Sequence, residues 1–505
     1  MLLKISKSFL YCSVLSVLVV FNSTFFPFIG GKNYFYRAII ELAFIFFLLW
    51  WAFEAPAGEI LARMKRLFKQ PLFLAVSLFF VMFMLATVFA FDSHAAFWSN
   101  YERGEGGFQM LHYYGFFFLA VLLFDQKKDW QWMFWASLAA GVGMILYGIA
   151  AAIDFAPMWR HLLRPGQAPP FNFIGPYFPG GAPIKETLIG RLFASSRFQG
   201  SLGNPAYVAP YLMFSIFYLL WLWISEHKRT LFKNISYGAL AAFFLVFFFA
   251  SQTRGAFVGL VAAIFVFLAV LAIKNRVWRK WLILLIAVLA VLLGTLASYR
   301  HTDFVKKLPA SRLLDVCIFD GSFQSAFFRG DWNRALSICS SERTFQTRLW
   351  TWNSAWQGFK DRPILGWGPE NFSAVFDKYF DPRHFIVGQP SETWFDYAHS
   401  VIFDYLSETG ILGLLSYLAV FGVFYWEWFR KKFNSGNGML LFALMAAIPV
   451  GYLVQGLALF NVLPIYINLF LLLAFACYEF HPRGSSTNNE YIPNLRIESD
   501  SKIRN

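Results

Sequence analysis

The sequence has few cysteines and lacks the short motifs that hold metals or nucleotides. Its four cysteines form no CxxC pair and no Cys/His cluster, which argues against a structural zinc site. A glycine-rich phosphate loop and an internal repeat are also absent, so neither a P-loop domain nor a repeat architecture is indicated. Cys12 and Cys477 lie in apolar segments and are predicted to pack as small hydrophobic residues. Cys317 and Cys339 share a polar loop, where they are either bridged or free thiols.

Apolar residues dominate the chain. Of its 505 residues, 58% are hydrophobic and 21% are aromatic, and the mean hydropathy is +0.51. A soluble domain is nearer to about half apolar, and it does not group its apolar residues into repeated blocks of membrane-spanning length. The 63 Phe and 19 Trp suit lipid-facing helices with aromatic residues at both membrane interfaces. The composition therefore predicts a polytopic membrane protein.

Apolar segments of spanning length, roughly 17–25 residues, lie near 8–29, 37–53, 72–91, 109–124, 131–153, 206–224, 236–251, 256–273, 281–299, 409–429, 439–459 and 465–480. The first is too long for a signal peptide and lacks a small-residue cleavage site, so we expect it to remain as a helix. The predicted organisation is transmembrane helices over 1–299 with an external Pro/Gly-rich loop at 154–205, a large extracytoplasmic loop at 300–398, further transmembrane helices over 399–480 and a disordered cytoplasmic tail at 481–505.

Lysine and arginine are unevenly distributed among the loops. The chain carries 43 Lys and Arg against 29 Asp and Glu, a formal net charge of +14. Alternate short loops hold Arg63, Lys65, Arg66, Lys69, Lys127, Lys128, Lys228, Arg229, Lys233, Lys274, Arg276, Arg279, Lys280, Arg430, Lys431 and Lys432. The other short loops hold only Lys32, Arg37, Arg103 and Arg254. The positive-inside rule then places both termini in the cytoplasm and both long loops outside, so the charge indicates topology and anionic lipid rather than nucleic acid.

Arg254 is the charged residue that topology explains least. The segment "FFFASQTRGAFVGLVAAIF" puts it in a tight turn between two apolar segments with no other charge nearby. A guanidinium at membrane depth is costly and usually has a partner or a function. One interpretation is that Arg254 snorkels to the interface or caps a helix C-terminus. The favoured interpretation is that Arg254 binds an anionic ligand, because the planar guanidinium forms bidentate hydrogen bonds to phosphate oxygens.

Two other segments contain candidate binding residues. "RFQGSLGNPAYVAPYL" joins Arg197 to a turn in which Asn204 is the predicted N-cap and Pro205 the first helical residue. Free N–H groups at that helix start are also suited to an anion. "RTFQTRLWTWNSAWQGFKDRP" predicts an amphipathic helix that carries Arg348 in the long external loop. The following "DRPILGWGPENF" is predicted to be a structural, turn-rich closing element.

His399 lies where the long loop re-enters the membrane, in "DYAHSVIFDYLSETGILGLL". An imidazole has an ordinary pKa near neutrality, which suits proton transfer, although a lone histidine is more often structural. Asp404 and Glu408 would lie roughly opposite His399 on a helix, so neither is expected to form a dyad with it.

Four segments in chain order together resemble a known family. "RFQGSLGNPAYVAPYL", "TRGAFVGL", "RLWTWNSAWQGFKDRPILGWGPENF" and "AHSVIFDYLSETGILGLLSYL" are similar to the landmarks of the bacterial O-antigen ligase and O-antigen polymerase superfamily, over roughly 70–480. The resemblance implies an all-α, GT-C-like membrane glycosyltransferase of the plasma (inner) membrane, with about twelve transmembrane helices and a large helical extracytoplasmic loop. It implies that a glycan moves from an undecaprenyl pyrophosphate carrier to an acceptor on the outer face.

The resemblance also implies site residues. It maps the family's functional residues onto Arg254, Arg348 and His399, and we expect further substrate contacts from Arg191, Arg197 and Asn204. Two arginines would stabilise the departing pyrophosphate while the histidine deprotonates the acceptor hydroxyl, which makes a metal or another cofactor dispensable. No DxD motif occurs in the chain, in agreement with a metal-independent site.

The acceptor and one different class of function remain open from the sequence. A lipid A core, a lipid-linked repeat unit and a protein hydroxyl are all possible acceptors, corresponding to a ligase, a polymerase and an O-oligosaccharyltransferase. A secondary transporter of polysaccharide intermediates also suits about twelve helices. Ionisable residues are scarce within the predicted helices, with Glu41 the main candidate, and the long outer loop breaks any two-half symmetry, so the transporter is disfavoured.

Overall fold

The computed structural model describes residues 1–21, 24, 26–100, 103–153, 197–226, 228–274, 343–385, 393–431 and 437–481, with isolated positions between 279 and 329. These residues form helices and turns without strands, which confirms the predicted all-α fold. The α-helices are, in chain order, α1 (Leu2–Ser13), α2 (Gly30–Phe53), α3 (Glu59–Leu67), α4 (Pro71–Val88), α5 (Ser93–Trp98), α6 (Gly107–Leu123), α7 (Lys127–Ala152), α8 (Pro205–Ile224), α9 (Leu231–Ala250), α10 (Arg254–Lys274), α11 (Arg343–Asp361), α12 (Phe372–Lys378), α13 (Val401–Glu408), α14 (Gly410–Arg430), α15 (Asn437–Gly456) and α16 (Leu463–Phe480).

Nine helices of the described residues are long and apolar enough to cross a membrane, and each corresponds to a predicted span. The predicted span at 109–124 is the shorter apolar helix α6. The span at 281–299 lies largely outside the described residues. The prediction of one helix over 8–29 is wrong, because α1 ends at Ser13 and a 3-10 helix follows over Val14–Leu18. There the Ser13 hydroxyl donates to the Leu10 carbonyl at 2.7 Å, a local bond of the kind that disturbs regular helix geometry.

Helices α8 and α16 form the centre of the bundle. Nearly all of their side chains are buried, and aromatic rings join them to α7. Phe134 stacks on Tyr218 with ring centroids 4.6 Å apart, and Phe475 meets Trp221 edge-on at 5.2 Å. By contrast, α9 and α10 expose apolar side chains such as Val246 and Phe265. A helix that is apolar all round and exposed on one side is expected to face lipid.

Helices α10 and α15 approach each other closely at a pair of glycines. A Cβ atom added to Gly259 would lie 2.5 Å from the carbonyl oxygen of Gly451, closer than van der Waals contact permits. Small residues allow this approach, and membrane helices associate mainly through such packing because lipid supplies no hydrophobic driving force between them. This contact anchors the helix that begins at Arg254 to the C-terminal helices.

The predicted cytoplasmic loops meet at one end of the bundle, which we call the basic end. The contacts that join them are Met1 amino group to Glu54 (2.7 Å), Lys7 to Asp129 (2.8 Å), Arg63 to Asp125 (2.5 Å), Lys127 to the Ser225 carbonyl (3.3 Å) and Lys431 to Glu479 (3.7 Å). The ends of α6 and α8 lie there, so their starts, at Gly107 and Pro205, lie at the opposite end. The grouping of basic loops at one end agrees with the sidedness predicted from charge.

The segment predicted as a closing element packs against the junction of α13 and α14. The Trp367 N–H donates to the Ser407 carbonyl at 2.9 Å, and the Gly368 N–H donates to the Glu408 carbonyl at 2.7 Å. Gly366 has a φ of +69°, and a Cβ there would lie 2.4 Å from the Glu408 carbonyl carbon. Glycine is required because both the backbone angle and the close approach exclude a side chain. The structural interpretation of this segment is therefore confirmed.

Orientation in the membrane is tested by cysteine labelling in a variant without the four native cysteines. Leu349, exposed on α11, and Leu231, exposed at the basic end, are replaced by Cys one at a time. We expect an impermeant maleimide to label Leu349→Cys in intact cells and Leu231→Cys only after permeabilisation, because the basic loops should face the cytoplasm. Labelling in the reverse order would contradict the predicted orientation.

Candidate active site

A cavity of about 500 Å³ lies at the end of the bundle opposite the basic end. We call it the first cavity. Arg197, Asn204, Arg348 and His399 all line it, so four of the residues chosen from the sequence come together despite their separation along the chain. The remaining polar lining is Arg103, Tyr207, Thr347 and Thr351.

His399 is held in an unusual backbone conformation. Its φ is +56°, in the left-handed region that residues with a side chain seldom occupy. The Nδ1 atom lies 3.1 Å from the Tyr397 carbonyl oxygen, and since a carbonyl only accepts, Nδ1 carries the proton. In the neutral ring Nε2 is then the unprotonated nitrogen. The rings of Phe395 and Phe460 meet the imidazole edge-on at 5.3 and 5.0 Å and fix its plane.

Ala398, the residue before His399, is hydrogen-bonded through both its N–H and its carbonyl. The Ala398 N–H donates to Asp404 Oδ1 at 2.6 Å, and its carbonyl accepts from the Trp352 indole N–H at 3.0 Å. Burial raises the pKa of the Asp404 carboxyl well above its ordinary value, with further rises from Asp396 and Glu370. Asp404 therefore contacts the backbone beside His399, but not because the two residues lie opposite each other on one helix, as the sequence predicted. His399 precedes the short helix α13, whereas the spanning helix α14 begins only at Gly410.

The environment of His399 favours the neutral imidazole. Burial lowers its pKa to about 4, and the nearby positive charges of Arg348 and Arg103 act in the same direction. The bond to the Tyr397 carbonyl and the charge of Asp396 only partly offset this. The pKa of His399 thus lies below the ordinary value of a histidine, because a ring in the cavity wall loses water around its charged form. At neutral pH the ring is unprotonated and able to accept a proton.

Arg348 lines the first cavity, whereas Arg254 does not. Arg348 projects from α11, and Arg254 is the first residue of α10. The turn before Arg254 is nevertheless bonded to the cavity wall. Arg197 donates from Nε to the Ser251 carbonyl and from Nη2 to Thr253 Oγ1, both at 3.1 Å. Arg254 follows Thr253 directly, so the structure places it beside this wall.

Asn204 has the structural position predicted for it. Its Oδ1 accepts from the Ala206 N–H at 2.9 Å, and Pro205 is the first residue of α8. Thr253 Oγ1 donates to the Pro205 carbonyl at 3.0 Å, which ties the helix start to the turn that leads into Arg254. Arg191, Cys317 and Cys339 lie outside the described residues.

Sequence reasoning missed the part that Arg103 and Asp396 play in the site. Arg103 donates from Nε and Nη2 to the two carboxylate oxygens of Asp396, at 2.6 and 3.0 Å, and from Nη1 to the Tyr207 hydroxyl at 3.2 Å. Its guanidinium also lies over the Phe460 ring, 5.1 Å from the centroid. The sequence did contain a signal for Arg103, because it lies, like Arg254, in a short loop of the predicted outer side, where basic residues are few. Its pairing with Asp396 could not be read from sequence.

The charge of the first cavity suits an anion. Arg103 is offset by Asp396, and the lining contributes Arg197 and Arg348 as further positive groups. Within the described residues, no group of three or more His, Cys, Asp and Glu side chains is arranged to hold a metal ion. The cavity therefore combines guanidinium groups with a neutral imidazole whose free nitrogen is Nε2.

In a comparison with known protein families, residues 239–418 match the family model described as O-antigen ligase. The matched stretch includes Arg254, Arg348 and His399, whereas Arg103, Arg197 and Asn204 precede it. No curated protein matches the chain. The match confirms the resemblance that the four motifs indicated, to the O-antigen ligase and O-antigen polymerase superfamily.

Proposed function

We propose that the protein transfers a glycan from an undecaprenyl pyrophosphate carrier to an acceptor hydroxyl at the outer face of the plasma membrane. The observation that carries the proposal is the first cavity, in which Arg197, Arg348 and His399 meet. The match to O-antigen ligases supports ligase or polymerase chemistry in general. The carrier is what the family resemblance implies, and we infer the orientation and the roles of single residues from the geometry and the charges.

The arginines are suited to the leaving group. When the bond between the sugar's anomeric carbon and the phosphate oxygen breaks, negative charge grows on the pyrophosphate. Guanidinium groups already positioned around it stabilise that charge without reorganising, which is commonly the largest contribution to catalysis. Arg348 on α11 and Arg254 beside the Arg197-bound turn are the groups to which we assign this stabilisation.

His399 is suited to be the base. The acceptor hydroxyl gives its proton to Nε2 while its oxygen forms the new bond to the anomeric carbon, and the carrier pyrophosphate departs with the electron pair of the broken bond. A bound pyrophosphate also raises the pKa of His399, because its negative charge offsets the arginines that lower that pKa in the free protein. His399 thus becomes a stronger base when the donor is in place.

The position of the first cavity suits a lipid-linked donor. It lies at the start of α8 and opposite the basic end, so the positive-inside rule predicts that it faces the outer membrane surface. A polyprenyl chain can then remain in the bilayer while its pyrophosphate and glycan enter the cavity.

A transfer assay in detergent separates this proposal from a transporter. The purified full-length protein is mixed with lipid-linked glycan from a strain lacking the protein, and with lipid A core or lipid-linked repeat units in separate reactions. We expect a covalent product with one acceptor and release of undecaprenyl pyrophosphate. A transporter makes no such product, because detergent removes the two compartments on which transport depends. Absence of product with every acceptor, including protein acceptors, would contradict the proposal.

A further inference from the structure

A second cavity of about 550 Å³ lies between the start of α2 and the segment that runs from α5 into α6. We call it the second cavity, and its lining includes Asn33, Tyr34, Arg37, Glu41, Trp98 and Phe108. It adjoins the first cavity, because Asn33 Nδ2 donates to the Arg103 carbonyl at 2.8 Å and Arg103 lines the first cavity. Asn33 and Arg103 thus form a wall between the two cavities.

The second cavity is electrically balanced. It contains one arginine, Arg37, and one carboxylate, Glu41. Arg37 is also used internally, since its Nε donates to Gln109 Oε1 at 2.6 Å and its Nη2 donates to the Gly104 carbonyl at 2.8 Å. An anion would therefore find no excess positive charge here, in contrast to the first cavity. The balance favours an uncharged, polar ligand.

The lining offers ring faces together with hydrogen-bonding groups. Trp98 and Tyr34 are 51% and 56% exposed, and the Trp98 ring is held by the Phe108 ring, with centroids 5.1 Å apart. The Glu41 side chain on the same lining is 57% exposed and presents a carboxylate acceptor. Sugars fit this combination, because a pyranose has apolar C–H faces that pack on aromatic rings and hydroxyls that donate to a carboxylate.

We propose that the second cavity binds an uncharged sugar ring of the glycan while the pyrophosphate site lies in the first cavity. The inference rests on the proposed transferase function and names the part of the substrate that the second cavity holds. Its lining lies within 30–108, outside the matched residues 239–418.

Binding of a glycan without its lipid pyrophosphate tests the inference directly. The probe is the glycan released by mild acid from the lipid-linked pool, labelled with a fluorophore, and anisotropy is measured on the purified full-length protein. We expect Trp98→Ala and Tyr34→Ala each to weaken binding by roughly tenfold, since each removes a ring face. Trp132→Ala is the matched control, because Trp132 is 57% exposed and lines neither cavity.

The same assay separates this inference from the catalytic assignment. Arg348→Ala should bind the released glycan as the unmodified protein does, because the probe carries no pyrophosphate. Unchanged binding in both folded ring variants, or no binding by the unmodified protein, would overturn the inference whatever the result for transfer activity. In the transfer assay, Trp98→Ala should raise KM for the donor, because the bound sugar belongs to the glycan on the carrier. An unchanged KM for the donor would also overturn the inference.

Discussion

Replacing His399 with Ala is expected to lower the rate of glycan transfer by about 10²–10⁴-fold, the usual contribution of a general base. The imidazole is half-buried in the first cavity, and its Nε2 is the unprotonated nitrogen when Nδ1 donates to the Tyr397 carbonyl. Binding of the lipid-linked donor should change little, because the ring is not required to hold the phosphates. The measurements are kcat from the detergent assay and a donor dissociation constant from titration.

The pH dependence of transfer gives a second readout of the same assignment. The base must be neutral, so activity falls as pH drops through its pKa. For kcat/KM, which reports the free enzyme, the fall is expected near pH 4, the value to which burial lowers the pKa of His399. For kcat it should occur at higher pH, because the bound pyrophosphate raises that pKa. An acid limb that persists in His399→Ala would remove the histidine from the base role.

Asp404 provides a matched control for backbone positioning. Asp404→Asn keeps an acceptor for the Ala398 N–H and replaces a carboxyl whose pKa is already raised by burial, so its activity should stay within a few-fold of the unmodified protein. Asp404→Leu removes the acceptor and should reduce kcat through a misplaced His399. Equal loss in both variants would instead indicate that the carboxyl group takes part in proton transfer.

Replacing Arg348 with Ala is expected to reduce kcat/KM by about 10²–10³-fold, in line with removal of one preorganised donor to a developing anion. Donor binding should weaken as well, because the same guanidinium contacts the ground-state pyrophosphate. Arg348→Lys should restore only part of the lost activity, since lysine keeps the positive charge but cannot form bidentate hydrogen bonds. We expect the same pattern, by the same assay, for Arg254→Ala and Arg254→Lys.

Arg348 has a further effect that a purely structural role would not produce. Its positive charge lowers the pKa of His399, so Arg348→Ala should move the acid limb of kcat/KM to higher pH. Arg383→Ala is the control, because Arg383 is an exposed arginine of the same outer layer that pairs with Asp381 and lines neither cavity. A normal donor affinity in Arg348→Ala would contradict its assignment to the pyrophosphate.

Local features of this chain were predictable from the sequence. Nine spanning helices were identified because a bilayer requires about twenty apolar residues in a row, and such runs are visible in one dimension. The N-cap at Asn204 and the start of α8 at Pro205 followed from neighbouring residues alone. The prediction failed at 8–29 because hydropathy does not distinguish an α-helix from the 3-10 helix that follows it over Val14–Leu18.

The motifs also identified Arg348, His399, Arg197 and Asn204, which the tertiary structure brings to one cavity. The sequence could not identify Asp396 as the partner of Arg103, or Trp352 and Asp404 as the groups that hold Ala398, the residue before His399. It also could not predict that the pKa of His399 falls to about 4. Spacing along a chain determines helices and caps, because their bonds join residues a few positions apart. Burial, charge proximity and the shapes of the two cavities depend on which helices pack together, and only the tertiary structure decided that.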